Sequence, residues 1–538
     1  MIGHLFNPGR LRAAVVFLAA AFVLVTPLTS HSAINLDRFA NWADATFSAA
    51  YAHKEFSGMA LIAVNHDGIV LERTYGSASH NPDTPIDPDH TRFLIGSITK
   101  TFTGLAIAQL VEHGQIRSID DPANAYLKRT QLKGPWGHKI TIRDLLTHSA
   151  GLDYRNRGVG TANAVPIPMT GADIDRLAPA YIRSPGEIIE YSNYSAGILA
   201  ALVEDVTGTD IRSYFRDHIW RPLGMTSTDF QTGLEPLPGT IRPFKFKTAT
   251  GWVEKPFIPF NPFYWPVGSI SSTLPDIAAY ARFHLRAGEG LDTPILTARQ
   301  HAELRKIQRT SHSGVGGFGY QTMSYSWNGK ALFGHGGTWP GYESMLIVDP
   351  VDDLAVFFSI AGPAAMGNLK ATALVNQALF GDYAAPGPVR PMSPQALSAY
   401  TGLYRNGLRS HAGVEQLMNY LGHGDGLRVT AGGGGLYIGQ DGPFMNVGDD
   451  LFWTPHAKVT PSNPFGSPVF AFKRDGTGAV RYLIHQEGLG PFEKVSWWED
   501  PALRISALGW LSWGSLLGIG MLGWPKRRPM DWIRSLAA

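Results

Sequence analysis

Hydrophobic periodicity gives the chain three successive textures. Residues 40–53 carry apolar positions at helical spacing and predict a helix. Two β-rich runs follow, 58–65 and 69–75, around His66-Asp67-Gly68. Asp-Gly between apolar runs is a strong hairpin signal. Helical patterns return over 98–112, 195–207 and 275–285, with Gly114 and Gly208 as stops for the first two. Residues 331–348 and 354–360 predict paired strands joined by Asp349-Pro350-Val351-Asp352-Asp353. Strands at both ends with helices between them predict an α+β domain over 34–383, in which one mixed sheet is closed by distant segments beside a helical region.

The second texture begins after 384–394, a stretch with four prolines and few large apolar residues that predicts a linker. From 395 to 499 short alternating segments, such as Leu427-Arg428-Val429-Thr430, are split by glycine-rich turns. Gly432 to Gly435 are four consecutive glycines, and no Gly-Lys-Ser/Thr follows to make them a phosphate loop. This region predicts a small all-β domain.

The third texture is purely apolar and occupies the two ends. Arg10 and Arg12 precede an uncharged run over 13–25, which Pro27 breaks before Ser30, Ser32 and Ala33. Residues 1–33 therefore predict an export signal or signal anchor. Residues 505–525 hold no charge, and a helix of that length spans about 31 Å, the hydrocarbon thickness of a bilayer. Lys526-Arg527-Arg528 follows directly. Basic flanks remain cytoplasmic, so a membrane helix over 503–525 and a cytoplasmic tail over 526–538 place the bulk of the chain on the extracytoplasmic, periplasmic side.

Composition narrows the classes. Among 538 residues 44% are hydrophobic, enough for a sizeable core. A formal net charge of +2 gives no support to nucleic-acid binding. Cysteine is absent, which excludes disulfides, thiol catalysis and cysteine metal sites. No metal or cofactor motif is present, so neither is expected.

The chemistry concentrates at Gly96-Ser97-Ile98-Thr99-Lys100. Serine and lysine three apart on a helix share a face, which sets an amine beside a hydroxyl that needs activation. Three further stretches accompany it: Arg143-Asp144-Leu145-Leu146-Thr147-His148-Ser149-Ala150-Gly151-Leu152, Pro185-Gly186-Glu187 with Tyr191-Ser192-Asn193, and Gly334-His335-Gly336-Gly337-Thr338. In this order and spacing they resemble the class C β-lactamase-like branch of the penicillin-binding-protein-like serine hydrolases. The resemblance implies a β-lactamase/transpeptidase-like mixed α/β fold. The tail, with Tyr400-Thr401-Gly402-Leu403-Tyr404 near its start, looks like the lipocalin-like barrel attached to some members.

The resemblance also implies roles. Ser97 would attack the substrate carbonyl and become acylated. Either Lys100 or Tyr191 would take its proton, with Lys100 the cation that eases ionisation of the phenol. The amides of Ser97 and Thr338 would form the oxyanion hole. Asn193 would hold Lys100 or the substrate amide, and His335, Gly336 and Gly337 would line the substrate. His335 stands where β-lactamases commonly carry a lysine, which replaces a permanent cation by a side chain mostly neutral at pH 7. That favours peptide, amide or ester substrates, D-residues among them, over β-lactams. A β-lactamase or D,D-carboxypeptidase proper, and a sensor that acylates without turnover, are the alternatives. The segment with Asp144 and His148 is implied to be a structural turn.

Overall fold

A nine-stranded antiparallel sheet organises the first part of the chain in the computed structural model, which describes residues 34–499 apart from 164–166, 168, 364, 413–415, 417–425, 461–462 and 464–465. The strand Gly58–Val64 pairs on one side with Ile69–His80, through the expected hairpin, and on the other with Leu354–Ala361. Tyr342–Asp349, Lys330–Trp339, Met323–Trp327, Gly317–Phe318 and Arg309–Thr310 continue the sheet in that order, and Asp83–Pro85 forms the opposite edge. Gly58–Val64 and Leu354–Ala361 are buried along their whole length, which is why both read as unbroken apolar runs.

Successive side chains on a strand point to opposite faces, and both faces are covered. Ala60, Ile62 and Val64 share a core with Ile277 and Ala281 of the helix Leu274–Leu285. On the other face Met59 lies opposite Tyr75, and Phe47 of the helix Leu36–Ala52 packs on that tyrosine. The helix Asn368–Phe380 lies beside Leu36–Ala52.

One expectation is corrected. The stretch 331–348 is itself a hairpin, Lys330–Trp339 with Tyr342–Asp349, turned at Pro340-Gly341. Proline presets the first turn position, and Gly341 takes φ 92°, which a side chain would oppose. The apolar pattern runs through this turn because both strands are buried.

Eight strands between Gly402–Asn406 and Pro491–Val495 pair in sequence order, and the first pairs with the last to close a barrel. This is the lipocalin-like architecture. The four-glycine run is a hairpin turn, with Gly433 and Gly434 at φ 59° and 77°, the signs a two-residue turn between twisted strands requires. Tyr404, Phe444, Phe452, Phe470 and Phe472 fill the interior. An eight-stranded barrel is just wide enough to be filled by its own side chains.

The proline-rich connection is not a free tether. Arg390 and Met392 donate their amides to the Asn446 and Gly434 carbonyls, which lays the segment along the barrel. The barrel's outer face also docks on the sheet domain, where Ile188 and Val315 join Val447, Leu451, Val469 and Ile484 in one apolar cluster. Beside it lies a buried charged network. Arg183 bonds Glu190 and Glu493, Arg409 reaches Glu493 at 3.2 Å, and His411 bridges Asp153 at 2.8 Å and Glu493 at 3.1 Å. Burial opposes the charge on Glu493, but the bonds from His411 and the charge of Arg183 outweigh it and hold the carboxyl down at about 2.

Among the described residues no helix is long and apolar enough to cross a membrane. The expected export signal at 1–33, membrane helix at 503–525 and tail at 526–538 lie outside the described residues.

Removing Arg183 leaves the buried Glu190 carboxyl without its bonded guanidinium, while Glu493 keeps Arg409 and His411. Arg183→Ala should lower unfolding free energy by about 3 kcal/mol, the cost of breaking a buried pair from one side. Asp217→Ala, which removes exposed partners of Arg216 and Arg221, should change it by less than about 1 kcal/mol. Urea midpoints for the two variants compare these directly, and equal shifts would mean the buried network adds nothing.

Candidate active site

The nucleophile turn is built by a glycine. Gly96 takes φ 53°, and a Cβ there would stand 2.8 Å from the Thr338 amide nitrogen and 3.0 Å from the Gly337 Cα. A Cβ on Gly337 would in turn strike the Ile95 carbonyl at 2.0 Å. Two bare backbones therefore meet, and the turn Gly96–Ile98 touches the strand Lys330–Trp339 beside Thr338. Ser97 thus stands where the Thr338 main chain is its neighbour. The helix Thr99–Glu112 follows at once and is buried through Leu110, so Lys100 in its first turn has nowhere to go but inward.

Lys100 is fully buried. Its Nζ lies 2.7 Å from Ser97 Oγ and 3.0 Å from the Val267 carbonyl oxygen. Burial drives its pKa well below the usual lysine range. The amine is therefore held towards its neutral form, with a lone pair for the serine proton. Its contact with the Tyr191 ring is a face contact, 4.9 Å from the centroid.

Tyr191 is delivered by an extended segment from the other side. Its amide donates to the Leu489 carbonyl at 3.2 Å, and the Ser192 amide donates to His148 Nδ1 at 3.1 Å. Ser192 caps the helix Asn193–Thr207, which fixes the direction in which the motif enters it. The phenol interacts with Ser97 and lies 3.5 Å from His335 Nε2. Burial raises the Tyr191 pKa strongly, and the Ser97 bond only partly opposes this. The expected Lys100-assisted ionisation of the phenol is thus disfavoured in the free site, since both groups are dry.

His335 is buried, and Nδ1 pairs with the Gly336 carbonyl at 2.6 Å. That carbonyl can only accept, so the ring proton resides on Nδ1 and Nε2 presents a lone pair to the Tyr191 hydroxyl. Burial, and then the charge of Lys100, lower its pKa to about 3. His335 is neutral throughout the physiological range.

Asn193 occupies the first turn of its helix on the cavity wall and donates to Asn156 at 3.3 Å. The two bonds of Lys100 go to Ser97 and Val267, so the expected hold of Asn193 on Lys100 is not the arrangement found. Ser97, Lys100, Tyr191, Asn193, His335, Gly336 and Thr338 all border one cavity of about 820 Å³. Gly337 sits in the same strand but is buried against Ile95.

Three contributors take their part through tertiary contacts that no spacing announced: His148, Asn368 and the barrel. His148 stacks on Tyr191 with ring centroids 4.3 Å apart, in a turn where it takes φ 55°. It supports the tyrosine, whereas neighbouring Asp144 caps a short helix and pairs with Arg309. Asn368 donates to the Gly337 and Ser344 carbonyls and ties strand to helix. Leu408, Glu487 and Leu489 bring the barrel into the cavity wall. Elsewhere Asp153, Glu190 and His411 form a trio of metal-ligand type, already engaged in the interdomain network with Arg183 and Glu493.

A comparison with protein families matches residues 43–379 to the family described as Beta-lactamase. PbpX of Bacillus subtilis (strain 168), named as a penicillin-binding protein, is 31% identical over 203 residues, 37% of this chain and 48% of that protein. Protein flp of Staphylococcus aureus (strain MW2) is 24% identical over 308 residues, 56% of this chain and 58% of its own length. The chain thus spans about half the length of these curated relatives. The structure of the octameric penicillin-binding protein homologue from Pyrococcus abyssi shares the fold with a TM-score of 0.53 and 20% identity, covering 84% of this chain and 96% of its own. The D-stereospecific amidohydrolase from Streptomyces sp. shares it with a TM-score of 0.52 and 21% identity, covering 64% and 99%. With the family match running through the sheet, the Ser97 turn and the His335 strand, the chain belongs to the beta-lactamase family.

Proposed function

We propose that this chain is a membrane-anchored, extracytoplasmic hydrolase that forms an acyl-enzyme on Ser97 and cleaves peptide, amide or ester bonds, D-amino-acid substrates among them. The observation that carries the reading is the buried Lys100 amine 2.7 Å from Ser97 Oγ. Lys100 accepts the hydroxyl proton as Ser97 attacks the carbonyl carbon, and no prior ionisation of a phenol is needed. The amides of Ser97 and Thr338 face the oxygen on which charge develops. The proton taken up by Lys100 is relayed through Tyr191, held by Leu489, His148 and His335, to the departing group, so both side chains end the step as they began it. Water then attacks the ester by the same route in reverse.

The substrate class follows from charge. The position facing substrate on the strand is a neutral histidine instead of a fixed cation, so nothing there rewards the carboxylate of a β-lactam. D-amino acid amidase from Ochrobactrum anthropi, another solved structure with this fold, supports the amide reading by its name. The uncharged span at 505–525 with its basic flank supports the anchor.

If Ser97, Lys100 and Tyr191 act as one proton-transfer unit, Lys100→Ala and Tyr191→Phe should each slow acylation by about 10²–10⁴, and the double variant should cost little more than either. Ser97→Ala should abolish labelling by a fluorophosphonate probe. Undiminished labelling of Ser97→Ala would remove the nucleophile, and near wild-type turnover by Tyr191→Phe would remove the tyrosine.

Nitrocefin turnover should be weak beside hydrolysis of short esters and small D-amino-acid amides. Steady-state kinetics on the three substrates decides it: nitrocefin as the best substrate would reverse the assignment to His335.

A chain truncated after Glu499 should stay in the supernatant of an ultracentrifuged lysate, while the full chain sediments with membrane. Full chain found soluble without detergent would refute the anchor.

A further inference from the structure

The cavity has two lobes of different character. One opens to solvent between exposed Ile258 and Pro340. The other runs away from Ser97 between the strand Met323–Trp327, the helix Asn368–Phe380 and the barrel. Its walls obey two periods at once. Met323, Tyr325 and Trp327 are alternate residues of the strand and face the cavity together. Leu369, Thr372 and Asn376 fall on one face of the helix, with the small Ala373 beside them.

Both elements give the same length. From Asn368 to Asn376 the helix advances about 12 Å, and from Met323 to Trp327 the strand advances about 13 Å. The near end is fixed by Asn368, which donates to the Gly337 carbonyl in the strand beside Ser97. The far end is floored by Trp327, whose indole donates to the Gly381 carbonyl and packs on Tyr383. This lobe is therefore a channel made blind by Trp327, lined by apolar side chains and by the Tyr325 hydroxyl, which accepts from the Asn376 amide at 3.3 Å.

Its far end carries one acid. Gln486 bonds the Ser326 carbonyl next to Trp327 and so fixes the barrel segment there, with Glu487 bordering the cavity. Ser467 donates to this carboxylate at 2.6 Å. Burial raises its pKa to about 7, and among the described residues no cationic side chain contributes to the shift. The other carboxylate of the cavity, Glu343, is near the opposite end, where it accepts from Thr338 and feels Lys255.

A leaving group must depart to solvent before deacylation, whereas the acyl part stays on Ser97 through both steps. The open lobe suits the first and the blind channel the second. Resting on the acyl-enzyme reading above, we propose that the blind channel holds the acyl part of the substrate and selects an unbranched aliphatic chain that ends in an ammonium group, received by Glu487. The methylenes cover Met323, Leu369 and Ala373, and the ammonium supplies the charge-assisted partner that Glu487 lacks among the described residues.

The test compares p-nitrophenyl esters of acetate, octanoate and ω-aminooctanoate on the full chain in detergent. The ω-amino ester should exceed octanoate in kcat/KM by about tenfold or more, mostly through KM. In Glu487→Gln that ratio should fall to near one. Ala373→Phe should lower the octanoate-to-acetate ratio about tenfold by obstructing the channel. Independently of any variant, octylamine should inhibit acetate hydrolysis at least about tenfold more strongly than octanol. Octanoate equal to or better than the ω-amino ester, or a ratio that survives Glu487→Gln, would overturn the proposal. Absence of acetate hydrolysis together with absence of Ser97 labelling would instead overturn the acyl-enzyme reading, and this proposal with it.

Discussion

An ammonium group enclosed by protein loses the hydration that made it a cation, and the architecture around Ser97 imposes that loss on Lys100. The residue lies in the first turn of a helix buried to Leu110, and its burial is not offset by any carboxylate. An amine so placed trades charge for basicity towards a hydroxyl 2.7 Å away. The rest of the pocket conforms to this choice. His335 is neutral because it too is dry and because a neighbouring charge would repel its own. Tyr191 keeps its proton for the same reason. A polar constellation assembled from uncharged partners can be closed off from water without stranding an ion.

Such a site depends on exact support for its tyrosine, and that support crosses the domain boundary. The amide of Tyr191 bonds Leu489, which belongs to the barrel. One residue earlier, Glu190 is gripped by Arg183, which also holds Glu493 of the closing barrel strand. Aromatic side chains fill the barrel interior among the described residues, while its outer face joins the sheet domain. The domain is a wall of the active site, and the charged network beside that wall sets its position.

The sequence analysis succeeded where the physics is local. Ser97 and Lys100 share a helix face, the Asp67-Gly68 hairpin has its turn residues, and the uninterrupted apolar runs are the strands buried on both faces. The Pro340-Gly341 turn was missed because buried strands on either side leave no polar punctuation, although the dipeptide itself is a turn signal. His148 was legible only as part of a structural turn, and Asn368 and Leu489 were not legible at all. Their importance lies in what folding brings beside them, and no spacing rule links residues separated by tens or hundreds of positions. For Asn193 the motif fixes its place on the helix, but not the partner of its amide.

The pairing of Gly58 with Ala361 sets the order in which the molecule can form. The first long strand of the hydrolase has its hydrogen-bonding partner three hundred residues downstream, so the sheet cannot be completed while the chain is still being made through its helical region. Contacts of such sequence separation carry a loop-closure cost before any burial repays it, which makes folding slow. A ribosome-bound chain up to about Pro350 can hold helices and separate hairpins, the first at Gly58–His80 and the last at Lys330–Asp349, but not a finished core. A sheet sealed by its last strand keeps the nascent chain pliable until synthesis of the domain is nearly over.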